Sequence, residues 1–214
     1  MEPDTTFTRR VCAVLLADVT GFSTLMGEND ERTARAVHHL QSIAQGIVSD
    51  NNGRAEPVAG DALFATFDSV VAAVQAAVTI QRRVADEALE GQPLQIRIGV
   101  HLGDVLLRDG RAFGDAINIA ARLEGLARPG TICISEGVYR QVRNKFDEPF
   151  VDLGPQQLKN ISDPVHAYLI VPGGAVQRPA TRRSTMRWAI AAGAVVVVIV
   201  AGGAALWRHQ QSSV

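Results

Sequence analysis

Residues 188–207, WAIAAGAVVVVIVAGGAALW, constrain this chain more than any other segment, because 20 residues pass with no charge, no proline and no strongly polar side chain. At 1.5 Å per residue a helix of that length covers roughly the 30 Å hydrocarbon core of a bilayer. Its ends carry the chain's only two tryptophans, Trp188 and Trp207, a residue type that favours the lipid–water boundary. Buried helices of globular domains rarely run so long without a polar face. The segment is therefore expected to be a single transmembrane helix. Arg178, Arg182, Arg183 and Arg187 precede it and only Arg208 follows closely. That excess of positive charge places residues 1–187 on the cytoplasmic side of the cell's inner membrane.

The same boundary divides the charge. Residues 1–177 hold 16 basic and 22 acidic groups, whereas residues 178–214 hold five arginines and no acid, so a net charge of −1 joins a −6 part to a +5 part. A negative globular part argues against a nucleic-acid polymer as partner. Residues 172–187, PGGAVQRPATRRSTMR, lack large apolar groups and read as a basic juxtamembrane linker. The expected organisation is a disordered start at 1–8, one domain over 9–171, the linker, the span at 188–207 and a short tail at 208–214. Cys12 and Cys133 lie inside apolar strand-like runs and are expected to be reduced core residues. The neighbours His38 and His39 diverge by about 100° on a helix, which is poor geometry for a shared metal.

Val11–Ala17 is a continuous apolar run of strand length bounded by charged and turn residues, the mark of a central, buried strand. Asp30–Val48 has helical spacing with Asn29 or Asp30 as N-cap. Two strands around Arg54–Val58 and Ala62–Phe67 flank the Gly60-Asp61 turn, and Asp68 or Ser69 caps a second helix. Leu94–Val100 alternates as a strand, with Asp104–Leu107 expected as its hairpin partner. A third helix opens at Gly114-Asp115, followed by a strand at Thr131–Ile134, a short helix, and strands near Phe150–Leu153 and Val165–Val171. This order predicts an α+β sandwich, with helices on one face of a mixed, mostly antiparallel sheet.

Asp18 ends the first strand and Asp61 occupies a glycine turn between two others. Carboxylates converging from strand ends attract hard divalent cations, although each alone is an ordinary turn residue. Their surroundings carry a resemblance. LLADVTGFSTLMGENDE is similar to the first signature of the class III nucleotidyl cyclases, the adenylyl and guanylyl cyclase catalytic domain. VAGDALFATF resembles their second metal motif, QIRIGVHLGDVL the central hairpin, FGDAINIAARLEGLARPGTICIS the transition-state helix, and LGPQQLKNISDPVHAYLI the terminal motif. Five motifs in order over about Val11–Val171 are specific where one would be weak.

The resemblance implies a class III cyclase-like fold in which Asp18 and Asp61 hold two Mg2+ or Mn2+ ions. The peptide nitrogens of Val19, Thr20, Gly21 and Phe22 would cradle the triphosphate, and Arg97 and Lys159 would reach its phosphates. Asn118 and Arg122, one helical turn apart, would position the ribose and stabilise the α-phosphate. The implied reaction closes a nucleoside triphosphate, ATP foremost, to its 3′,5′-cyclic nucleotide with loss of pyrophosphate. The implied site is shared by two chains, in a homodimer or in a heterodimer with another cyclase chain. Two positions depart from the pattern. Pro57 and Arg111 stand where the family's base-selecting lysine and aspartate are found, and neither can copy those contacts. Glu56 is one residue away, and on a strand that offset turns it to the opposite face. An unusually selecting cyclase is the expectation; a cyclase homologue that binds nucleotide or regulates another cyclase chain is the alternative.

Overall fold

The computed structural model describes residues 8–173 apart from 57, 59, 109 and 110. The expected linker beyond 173, the span at 188–207 and the tail lie outside the described residues. Among the described residues, no helix is long and apolar enough to cross a membrane.

Two long antiparallel strands form the spine. β1 (Thr8–Val19) and β4 (Ile96–Arg108) pair from Thr8 opposite Leu107 to Val19 opposite Ile96, so β1 starts inside the segment expected to be disordered. β2 (Gly53–Glu56) and β3 (Leu63–Phe67) extend the sheet on one side. β6 (Ile132–Ser135), β8 (Val165–Ile170) and β7 (Phe150–Gln156) extend it on the other. The strand order is β2-β3-β1-β4-β6-β8-β7, with the short β5 (Arg111–Phe113) paired to the end of β4. Among the described residues only β4 and β6 run parallel, in keeping with a mixed and mostly antiparallel sheet.

The helices cover both faces of the sheet, not one. Ala13, Leu15, Ala17 and Val19 pack with α2 (Asp30–Asp50), α3 (Val70–Asp86) and α5 (Glu136–Val142). Cys12 and Val14 pack the other way with Ala116 and Ala120 of α4 (Asp115–Leu126). The cause is legible in the unbroken run VCAVLLA, since a strand apolar at every position has to be covered twice. Capping sets the starts of two helices. The Asn29 side chain accepts from the Arg32 amide at 2.9 Å, and Ser69, rather than Asp68, accepts from Ala72 at 3.3 Å.

The largest difference from expectation is β4, which runs unbroken through Gly103-Asp104 where a hairpin is predicted. The partner is β5, pairing Arg108 with Arg111. The two glycines serve packing instead of a turn. A Cβ on Gly99 would fall within overlap distance of the Ala120 carbonyl and the Glu124 amide, and one on Gly103 would lie 2.9 Å from the Ala116 Cβ. Both glycines belong to the face that α4 covers, so the helix backbone can sit down on the strand. A short helix absent from the sequence reading, α1 (Phe22–Glu28), follows β1 directly, entered through Gly21 at φ 72°. Only glycine takes that left-handed entry without strain.

Candidate active site

Asp18 is the last α4-facing residue of β1, and its cross-strand partner on β4 is Arg97. The facing is dictated by the two-residue period that sends Cys12 and Val14 to the same side. Arg97 Nη2 donates to Asp18 Oδ2 at 3.1 Å, and Arg97 Nε lies 2.9 Å from Glu124 Oε1 on α4. The second contact is an ion pair without hydrogen-bond alignment, for neither Arg97 Nε nor Glu124 Oε1 has a hydrogen-bond partner. One guanidinium thus contacts two acids, and Gly99 makes this possible by letting α4 approach until Glu124 reaches it.

Asp61 reaches the same place from the opposite direction. Gly60, at φ 81°, turns the chain between β2 and β3, and Asp61 Oδ2 accepts the Val19 amide hydrogen at 3.1 Å. Gln41 of α2 steadies this turn by donating to the Gly60 carbonyl at 2.9 Å and the Ala62 carbonyl at 3.4 Å. The Asp61 carboxyl is pushed up to about 6, first by burial, then by its hydrogen bond to Asp18 and the negative charge there. Burial also raises Glu124, against the opposing pull of Arg97. A carboxyl raised by the charge of a neighbouring carboxylate is relieved by a cation between the two. Beside them the Thr20 hydroxyl is buried without a hydrogen-bond partner. Hard oxygen donors, mutual repulsion and an orphaned hydroxyl fit a small divalent cation. Among the described residues no group of three or more His, Cys, Asp or Glu side chains that could hold a metal ion occurs.

The four expected cradle amides divide into two kinds. Val19 donates to Asp61 and Thr20 donates to the Gln95 carbonyl at 2.7 Å, so both are already used. The amides of Gly21 and Phe22, at the entry to α1, have no such partner among the described residues. Asn118 and Arg122 are brought together on α4, and neither makes a hydrogen bond or ion pair with the aspartates. Both are exposed, with no hydrogen bond or ion pair among the described residues, because α4 buries its Ala116, Ala120 and Leu123 face. Lys159 is exposed in the connection from β7 to β8. Arg111 takes its place on β5, while Pro57 and the Arg111 side chain lie outside the described residues. Glu124 is the site residue that the sequence reading missed. A glycine in a strand beside Arg97 signals close approach by another backbone, but not which residue arrives.

This sheet, with acids gathered at the end of its first strand and the Asn/Arg helix laid over its α4 face, defines a nucleotidyl cyclase catalytic domain. Residues 7–172 match the Adenylate and Guanylate cyclase catalytic domain family, and the chain belongs to it. Among similar proteins is the "Putative adenylate cyclase 3" of Rhizobium meliloti (strain 1021), 36% identical over 176 residues, which are 80% of this chain and 30% of that protein. The "Adenylate cyclase" of Glutamicibacter nicotianae is 32% identical over 133 residues, 62% of this chain and 32% of that one. The chain therefore spans about a third of the length of these two relatives. The crystal structure of an adenylate/guanylate cyclase/hydrolase from Silicibacter pomeroyi superposes with a TM-score of 0.67 at 36% identity, covering 78% of this chain and 99% of that one.

Proposed function

We propose that the protein converts ATP to 3′,5′-cyclic AMP and pyrophosphate at a site shared by two copies of the chain. The observation that carries this is the division of the site. Asp18 and Asp61 meet at one end of the sheet, while Asn118 and Arg122 stand exposed and unpartnered on α4. Each half lacks what the other presents, and a symmetric dimer completes two sites at once. ATP is preferred as substrate because the relatives named above are called adenylate cyclases. Their names support this choice over GTP, and Pro57 and Arg111 leave base selection to other contacts.

Asp18 and Asp61 would hold two Mg2+ or Mn2+ ions, which lower the pKa of the ribose 3′-hydroxyl and offset phosphoryl charge when bound. The free amides of Gly21 and Phe22 would take phosphate oxygens, a role suited to an αL glycine without a Cβ. Arg97 would exchange its contact with Asp18 for the outer phosphates while remaining tied to Glu124. Lys159 adds a second positive charge to those phosphates. Asn118 of the second chain would orient the ribose, and Arg122 would meet the charge that develops on the α-phosphoryl oxygens. The 3′-oxygen attacks the α-phosphorus, the bond to the bridging oxygen breaks, and pyrophosphate leaves. Position and electrostatics supply the catalysis, with no covalent enzyme intermediate.

The uncharged run at 188–207 would anchor the chain in the inner membrane with this domain in the cytoplasm. Confinement to two dimensions would raise the effective concentration for pairing. The test is product formation from ATP and from GTP at millimolar substrate with manganese, using the full chain and its Asp18→Ala variant. Cyclic nucleotide from the parent alone supports the reading. Nucleotide binding without either product would assign the regulatory alternative.

A further inference from the structure

A cavity of about 200 Å³ opens between α2 and the β2–β3 pair, with Gln41 among the residues that line it. Ala44 and Val48 of α2 and Leu63 and Ala65 of β3 supply apolar wall, and Gln41 and Glu56 supply polar groups. Glu56 is the only charged residue among those that line it. Its Oε1 is buried and has no hydrogen-bond partner. A carboxylate oxygen withdrawn from water without a donor is costly, and a charge-assisted hydrogen bond relieves that cost most effectively. Drug-sized ligands occupy cavities of roughly 300 Å³ or more, so this one admits a fragment: one small ring or a short alkyl chain.

From these features we infer that the cavity is a binding site for a small organic ammonium ion, its apolar body against Ala44 and Val48 and its N–H donors on Glu56. Neutral molecules of the same shape offer Glu56 at most an uncharged donor, about half as strong as a charge-assisted one, and anions meet its charge. The site is coupled to the aspartates through a named contact. Gln41 lines the cavity and also holds the carbonyls on either side of Asp61. A ligand that pins α2 to β2 and β3 therefore holds the turn that carries Asp61, which makes the cavity a regulatory position. A ligand shifts such an equilibrium only as far as it prefers one arrangement, so binding is the primary measurement.

The experiment is a titration of the full chain with benzylammonium chloride, read by calorimetry and by backbone amide shifts, with benzyl alcohol as the neutral control. The expected result is saturable one-to-one binding, with shifts at Gln41, Ala44 and Val48. Benzyl alcohol and the Glu56→Gln variant should each show affinity at least tenfold weaker, and Val48→Trp should show no binding. Glu56→Gln changes no volume, so it keeps the test valid even where the tryptophan variant does not fold. Equal affinity for the ammonium ion and the alcohol, or unchanged affinity in Glu56→Gln, overturns the proposal. So does displacement by ATP or GTP, which would place the cavity in the nucleotide site. Absence of ligand binding together with a Glu56→Gln change in dimer dissociation would show that a second copy covers the carboxylate, and also overturns it. No step of the titration involves catalysis, so failure of the cyclase assay and failure here are read separately.

Discussion

Arg97 and Glu124 come from different elements and meet at 2.9 Å, while the other end of the same guanidinium holds Asp18 at 3.1 Å. The contact gives Arg97 somewhere to remain when its bond to Asp18 is broken. Asp18 cannot serve a cation fully while it also satisfies an arginine, so Glu124 sets how readily Asp18 is released. In Glu124→Gln the guanidinium should shift its charge toward Asp18. The expected outcome is Mn2+ binding weaker by about tenfold, the lower end of what is lost when a group that holds a metal's ligand is changed. Free Mn2+ followed by electron paramagnetic resonance measures this without turnover. Affinity equal to the parent's would show that Arg97 does not compete for Asp18.

That neither Asn118 nor Arg122 makes a hydrogen bond or ion pair with the aspartates gives a second outcome. Asp61→Ala and Arg122→Ala should each be inactive alone, because every site in either homodimer lacks one essential group. In the mixture, about half of randomly paired dimers contain one chain of each kind and one intact site. Cyclic nucleotide production should therefore return to about a quarter of the parent's rate at equal total protein. A mixture as inactive as its components would place all the groups of a site within one chain.

Much of this architecture is legible in the residues. The unbroken VCAVLLA run implies a strand covered twice, and the spacing after Asn29 and Ser69 gives α2 and α3. Asp18 and Asp61 are visible as a strand end and a glycine turn, which are local features, but only the resemblance of their surroundings makes them metal candidates. The Gly103-Asp104 step misled because a Gly-Asp pair marks both a hairpin turn and a close backbone approach. Only the position of α4 decides between them. Glu124 was hidden for the same reason, since its contact with Arg97 depends on how far a helix sinks onto a strand. The short α1 escaped notice because seven residues are too few for a helical period to show.

Gly99 should be far less tolerant of a methyl group than Gly125. An alanine at 99 has to displace the backbone of α4 at Ala120 and Glu124, which cannot rotate away. Overpacking of this kind costs about 1–3 kcal/mol, with the upper end expected here. Gly125 is in the same helix with nothing within 4 Å of an added Cβ, and alanine there should stabilise by about 0.5–1 kcal/mol. Urea denaturation of the two variants measures opposite changes in midpoint. Similar small shifts in both would mean that α4 is not seated on β4 through Gly99.

Asp61 should make both stability and metal binding depend on pH, in opposite directions. Its carboxyl is raised from 3.8 to about 6 in the folded protein, chiefly by burial and next by Asp18. A folded-state value above the unfolded one means that the native state holds the proton more tightly. The stability this proton confers is complete below 3.8 and is lost as pH rises through about 6. A cation needs the deprotonated form, so Mn2+ affinity should rise with pH and level off above about 6. Asp61→Asn removes the proton and its linkage. Compared with the parent over pH 4 to 7, it should lack the decline in metal-free thermal midpoint and bind Mn2+ weakly throughout. A decline of the same size in both proteins would assign the pH dependence to other groups.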